Sequence, residues 1–224
     1  VRYYSTYLPL LYKLVLQQNQ IAIRDALNEK QQLLRKRARP KVLLATCYDE
    51  AIETYRRYET NIIGVISDIG FVLHKGDPSS TEKLDAGIDL CRLIRKENPT
   101  MPFLMQSSQE AMSSIAKQLK VGFVVKTSKT LTQELSAYIE REFGFGDFVA
   151  IDPRSGKEIA RASDLEAFER VISTISSAAF RRLSDNNYLS KWLFARGLFA
   201  IGRHVQQLQI QDDTDIENIR LTNI

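Results

Sequence analysis

Cysteine is scarce: the 224 residues hold two, Cys47 and Cys91, with no metal-ligand spacing and no further Cys or His close to either. That excludes a disulfide-stapled miniprotein and a thiolate metal knuckle, and it predicts buried, reduced thiols in a cytoplasmic protein. No apolar run reaches the roughly 18 residues that span a bilayer. The best candidate, Tyr7 to Leu16, is interrupted by Pro9 and Lys13, so no membrane partner is expected. Ten glycines and six prolines are too few for a collagen-like or low-complexity chain. No Gly-rich phosphate loop and no nucleophile–base pair stand out, and neither His74 nor His204 has a ligand set beside it, so no catalysis is expected from these residues. What remains is 44% hydrophobic and 26% charged, the composition of a folded chain long enough to bury its own core. It opens on Val1 rather than Met, which predicts a piece of a longer protein.

The net charge of +4 is local. Residues 1–40 carry a net +6, while 41–145 and 146–224 each sit at −1. The excess centres on Arg35-Lys36-Arg37-Ala38-Arg39. Such a run reads either as a nucleic-acid patch or as a helix C-terminus whose cations complement the macrodipole before Pro40. No aromatic residue interleaves with it, which favours the helix end and makes a nucleic-acid partner unexpected.

Residues 1–38 read as one long helix, with Leu10, Leu11, Leu14 and Val15, then Ile21, Ile23, Leu27, Leu33 and Leu34 at helical spacing, and with Pro9 starting or kinking it. Strands and helices then alternate. Lys41–Thr46 predicts a strand, and Asp49–Tyr58 a helix with Ala51, Ile52, Tyr55 and Tyr58 inward. Asn61–Ser67 predicts a strand ending at Asp68, followed by a Gly/Pro/Ser-rich loop to Lys83 and a helix over Asp85–Lys96. Pro102–Gln106 and Gly122–Val125 predict strands, Gln109–Leu119 and Leu131–Phe143 helices. The strands are continuous apolar runs, the pattern of a parallel sheet covered on both faces, so an α/β fold is expected.

Ligands of such sheets gather beyond the C-terminal ends of the strands. Three of those ends carry chemistry: Asp68, Ser107 and Lys126. A carboxylate can attack a phosphoryl donor to form an acyl phosphate, and a hydroxyl and an ammonium can bind the added oxygens and register its arrival. Taken singly, each also reads as an ordinary turn residue, helix N-cap or solvated strand end.

These residues resemble the response-regulator receiver family, the CheY-like phosphoacceptor domains, over residues 41–143. Gly122-Phe123-Val124-Val125-Lys126 is similar to that family's fifth strand, Ser107-Ser108 to the pair ending its fourth, Asp68 to its phosphoacceptor, and Asp85-Ala86-Gly87 to the opening of its third helix. The resemblance implies a flavodoxin-like parallel sheet with helices on both faces. It makes Asp68 the phosphoacceptor, Ser107 and Lys126 the phosphate sensors and Phe123 the switch aromatic. It also implies magnesium held by Asp68 and the Gly70 backbone, and a histidine kinase or another phosphodonor as partner.

The sequence departs from the family at several points. The loop after Asp68 is long, Phe71-Val72 stands where Met-Pro is usual, and Thr127 follows Lys126 in place of proline. The acidic pair of the first strand is missing. The 21 residues from Cys47 to Asp68 leave room for one helix and one strand, so Lys41–Thr46 aligns as the second strand. The first strand is then expected upstream of Val1. Without its acids the site is expected to hold magnesium weakly and to take no phosphate from a small donor. Because strand one pairs with both two and three in the family's 2-1-3-4-5 order, the gap is expected to be closed by sheet rearrangement, by an added segment, or by strand exchange in a homo-oligomer.

Gly144-Phe145-Gly146 marks the end of the receiver-like domain, 1–145, and a connector domain, 146–224, follows. There Phe148–Ile151 and Lys157–Ala160 predict a small hairpin, Ser163 or Asp164 an N-cap, and Ser177–Ser184 and Tyr188–Gln207 two further helices, with Gln209–Asp215 opening a linker. Taken whole, with Gly144–Val149, Glu158–Ala162 and Asn187–Leu193, the chain resembles the N-terminal regulatory region of bacterial proteins related to phosphoenolpyruvate synthase and pyruvate phosphate dikinase. That implies a two-component-type receiver that couples a phosphorelay signal to a phosphotransferase domain further along the parent protein. Two rivals stand beside it. One is a pseudo-receiver scaffold that never carries phosphate. The other is a DNA-binding response regulator, for which the apolar setting of Lys191, Arg196 and Arg203 is unsuited.

Overall fold

The structure, a computed structural model, describes residues 8, 9, 11–17, 20, 41–207 and 215–217. The described residues divide into two compact units: 41–138, and those before 41 together with those from Ile139 on.

In the first unit, α1 (Tyr48–Tyr58) leads to β1 (Val65–Asp68), α2 (Ala86–Glu97), β2 (Phe103–Ser107), α3 (Ser113–Gln118), β3 (Gly122–Val125) and α4 (Leu131–Glu142), the last running on past Tyr138. The three strands form a parallel sheet in the order β1-β2-β3. Strand β2 lies in the middle, and Phe103, Leu104 and Met105 are almost wholly buried, as a central strand's continuous apolar run requires. Around it pack Tyr55 of α1, Ile88, Leu90, Cys91 and Ile94 of α2 and Ala116 of α3. Both thiols are free and buried, and burial pushes Cys91 up to about 11, so it is inert. Tyr138 of α4 donates to the Phe103 carbonyl at 2.9 Å and ties that helix to the central strand.

Helix α2 starts where it does because Gly87 approaches β1 closely. Its N–H donates to Ile69 O at 2.8 Å, and a Cβ there would lie 2.0 Å from Asp68 O. The long loop between β1 and α2 is closed by an antiparallel bridge between Phe71 and Lys83, and Lys83 pairs with Asp89 on α2.

Three expectations need correction here. Lys41–Thr46 is not a strand: it is irregular, with Leu43 and Leu44 about half exposed at 49% and 45%. A strand needs a ladder, and among the described residues no strand pairs with residues 41–46. Tyr58 is exposed rather than inward, since it closes α1 just before the tight turn Glu59–Asn61. Residues 109–119 do not run as one helix but as a single tight turn, Glu110–Met112, followed by the short α3.

In the second unit, β4 (Phe148–Ile151) and β5 (Glu158–Ala162) pair antiparallel, and α5 (Leu165–Thr174), α6 (Ser177–Asp185), α7 (Tyr188–Ala195) and α8 (Phe199–Gln207) follow. Asp164 caps α5 by accepting from Ala167 N at 2.8 Å, and Ser176 caps α6 through Ala179 N. The expected single helix over Tyr188–Gln207 is in fact two. Gly197 takes φ +76°, its N–H and that of Leu198 turn back to Phe194 O and Leu193 O, and the chain restarts as α8.

The core of this unit is aromatic. Phe168 stacks on Trp192 at 4.5 Å, Phe148 meets Phe168 edge-on at 4.9 Å, and the Arg196 guanidinium lies 3.4 Å from the Trp192 ring centre. Arg196 is 7% exposed and donates to the carbonyls of Gly144, Gly146 and Trp192. Trp192 Nε1 donates to Gly146 O as well, so two buried side chains latch the Gly144–Gly146 turn. Residues 11–17 are helical, with Leu11 and Leu14 buried. The basic run Arg35–Arg39 and most of the expected helix over 1–38 lie outside the described residues, as does most of the expected linker. No described helix is long and apolar enough to cross a membrane.

Candidate functional site

Parallel strands bring their C-terminal ends to one rim, and register decides which side chains meet there. Asp68 closes β1 and stands opposite Gln106 on β2, which stands opposite Val124 on β3. Lys126 follows β3 two residues after Val124, and side chains two apart share a face. Its backbone N–H donates to Ser107 O at 2.9 Å, which fixes where its side chain departs.

Asp68 and Lys126 meet: Nζ lies 2.7 Å from Oδ2. Their side chains are 14% (Lys126) and 25% (Asp68) exposed, so water screens the pair far less than an open surface pair. Exposed pairs are worth about 0–1 kcal/mol, whereas a hydrogen bond to a charged group out of bulk water is worth about 1.5–3 kcal/mol. The other carboxylate oxygen is also engaged. Gln106 Nε2 donates to Asp68 Oδ1 at 2.6 Å. A carboxylate can only accept, so the amide must turn its NH₂ toward Asp68, and Gln106 Oε1 is left buried with no hydrogen-bond partner among the described residues. An unmet buried acceptor costs about 1–3 kcal/mol, a cost the charge-assisted bond at the other end of the amide offsets.

Of the residues singled out in the sequence, Asp68 and Lys126 are thus brought together. The β2 side chain that reaches Asp68 is Gln106, one position before Ser107. The Ser107 hydroxyl accepts instead from Gln109 N at 3.1 Å, capping the turn that follows β2. Phe123 stands opposite Met105 in the ladder and packs, half-buried, against the core of this unit. Gly70 lies two residues beyond Asp68 and runs beside the backbone of Lys83 and Leu84.

The loop after Lys126 is pinned by its own polar cluster. Ser128 and Thr130 both donate to Glu134 Oε1, and those two hydroxyls hold its carboxyl below the ordinary range. The loop after β1 carries a second pair, exposed, in which His74 Nδ1 lies 2.6 Å from Asp49 Oδ2 and His74 N donates to Asp77. The bond to Asp49 raises the His74 imidazole, and its negative charge adds to the effect.

Magnesium asks for near-octahedral oxygen donors, usually carboxylates with waters. At this rim one carboxylate is described, and both its oxygens already accept, one from an ammonium and one from an amide; no group of three His, Cys, Asp or Glu forms anywhere among the described residues. The described donor set does not fit the ion.

Gln106 is the site residue not singled out in the sequence. Its signal was there: an amide is the one polar residue within Phe103-Leu104-Met105-Gln106, an otherwise apolar run. The chain matches no family model, no curated protein and no solved structure.

Proposed function

We propose that this chain is a receiver-like regulatory module of the two-component type, which couples a phosphorelay signal to a phosphoenolpyruvate/pyruvate phosphotransferase domain elsewhere in a longer parent protein. In this reading the three parallel strands are the third, fourth and fifth of a receiver-like, flavodoxin-like sheet, and the unit with β4 and β5 is a hairpin-plus-helices connector. The observation that carries it is the Asp68–Lys126 contact at the C-terminal rim of the sheet. Asp68 is the phosphoacceptor. Its carboxylate forms an O–P bond to the phosphorus of a phosphohistidine donor, the N–P bond breaks, and the electron pair leaves on the imidazole nitrogen. Lys126 Nζ exchanges a carboxylate oxygen for phosphoryl oxygens and offsets their charge. Ser107 releases Gln109 N and turns its hydroxyl to the new group, and Phe123 repacks with it. A DNA-binding output is disfavoured because Arg196, one of three cations on the relevant stretch, is buried under carbonyls.

A second reading draws on the Gln106–Asp68 bond. With both oxygens engaged and no magnesium-fitting donors described, Asp68 serves as a cross-strand clamp in a pseudo-receiver that works as an interaction scaffold. One experiment separates the two. The chain is incubated with acetyl phosphate and, separately, with an autophosphorylated histidine kinase, and phosphoryl incorporation is followed by intact mass. The acceptor reading expects incorporation from the docked kinase, lost in Asp68→Asn, and none from the small donor. No incorporation from any phosphohistidine donor, with the chain folded, leaves the scaffold.

A further inference from the structure

The bond from Gln106 to Asp68 has a chemical consequence at the atom that would react. From this geometry we infer that Gln106 is a positioning residue that holds the acceptor carboxylate closed, so that Asp68 Oδ1 must shed the Gln106 amide before it can attack phosphorus. The inference rests on the acceptor reading above.

Three observations support it. Lys126 Nζ pairs with Asp68 Oδ2, and Gln106 Nε2 stands 2.6 Å from the other carboxylate oxygen, Oδ1. An oxygen that accepts a short, charge-assisted hydrogen bond has its lone-pair density directed at the donor, which lowers its nucleophilicity and blocks its approach to phosphorus. The amide is also held in one orientation. Turning it over would set Oε1, which has no hydrogen-bond partner among the described residues, against the carboxylate oxygens and lose the bond to Asp68. Gln106 sits on the central strand between β1 and β3, with its backbone fixed by ladders on both sides, so the restraint acts from a rigid element. A small acyl phosphate brings no binding energy from remote contacts with which to break this bond. A docked protein donor does. Gln106 thereby selects donors by how firmly they dock, and it restrains Asp68 without touching phosphate itself.

The step being restrained balances simply. Asp68 Oδ1 forms an O–P bond to acetyl phosphate, the P–O bond to the acetyl group breaks, and acetate departs with the electron pair. The test uses the whole chain in wild-type, Gln106→Leu and Gln106→Ala forms, each checked for folding by circular dichroism, with Asp68→Ala as reference. The side-chain amide protons of Gln106 are first recorded by NMR in wild type and Asp68→Ala. A downfield proton that moves upfield in Asp68→Ala is expected, and amide protons that do not respond overturn the restraint. Labelling by acetyl phosphate is then compared, and Gln106→Leu and Gln106→Ala are expected to label about tenfold or more faster than wild type, the worth of one hydrogen bond to a charged group. Variants that label no faster than wild type with acetyl phosphate, while a histidine kinase labels wild type, overturn the inference and leave the acceptor reading standing. If no form is labelled by acetyl phosphate or by a histidine kinase while the amide responds to Asp68→Ala, the restraint holds and the acceptor reading falls.

Discussion

Gly87→Ala tests the join between α2 and the strand that carries Asp68. Near the start of a helix, alanine should help, by about 0.5–1 kcal/mol relative to glycine. Here the added Cβ would stand 2.0 Å from Asp68 O and 3.0 Å from both Asp68 C and Ile69 Cα. Those atoms are backbone, fixed by the β1–β2 ladder, so the helix must retreat by more than an ångström and weaken the 2.8 Å bond from Gly87 N to Ile69 O. Overpacking of this kind costs about 1–3 kcal/mol, and more where the obstacle cannot turn aside. The clash outweighs the helix gain, and a net loss of about 2 kcal/mol is expected. With a denaturant slope of about 1–3 kcal/mol/M, the urea midpoint should fall by about 1 M. Equilibrium unfolding followed by far-UV circular dichroism reads the shift, and amide exchange at Ile66 and Ser67 locates it. Gly70→Ala is the control, because its Cβ would meet its nearest atoms at ordinary distances of 3.5 to 3.7 Å, and it should stay within about 0.5 kcal/mol. A Gly87→Ala protein as stable as wild type, with unchanged exchange in β1, would refute the close approach.

Further expectations follow from the same packing. In a double-mutant cycle, Asp68→Asn and Lys126→Met should couple by about 1 kcal/mol or more, and a coupling near zero in urea melts would mean that the pair is solvent-screened after all. His74 should titrate above an ordinary histidine by NMR and return toward it in Asp49→Asn. Because its folded value is raised, the stabilisation is full below the unfolded value of about 6.5 and is lost as pH rises through the folded one; a His74 titrating alike in both proteins would contradict this. Arg196→Lys keeps the charge but loses the planar fork over Trp192 and its reach to two glycine carbonyls, so a loss of about 2–3 kcal/mol is expected by urea unfolding, and a neutral outcome would show that charge alone suffices.

How far the fold could be read from sequence depended on whether an element's information is local. Strands β2 and β3 were legible because a buried parallel strand needs only a short apolar run, and Phe103–Met105 and Gly122–Val125 supply it. Lys41–Thr46 has an equally apolar run and is no strand, since pairing is a property of two segments and its partner is not written in its own residues. The break at Gly197 was hidden by the apolar residues on either side, although a glycine after Arg196 is an ordinary way to end a helix. At the rim, Asp68 and Lys126 could be singled out because strand ends are where a parallel sheet presents its chemistry. Choosing between Gln106 and Ser107 as the side chain facing Asp68 required a register correct to one residue, and one residue reverses the face.

The stacking around Trp192 has a practical outcome for anyone who studies this chain in solution. It is the single tryptophan, and it lies between Phe168 and the Arg196 guanidinium in the unit that holds β4 and β5. Intrinsic fluorescence excited at the red edge therefore reports on the packing around that ring, and a tryptophan introduced near β2 would place a second reporter on the sheet that bears Asp68.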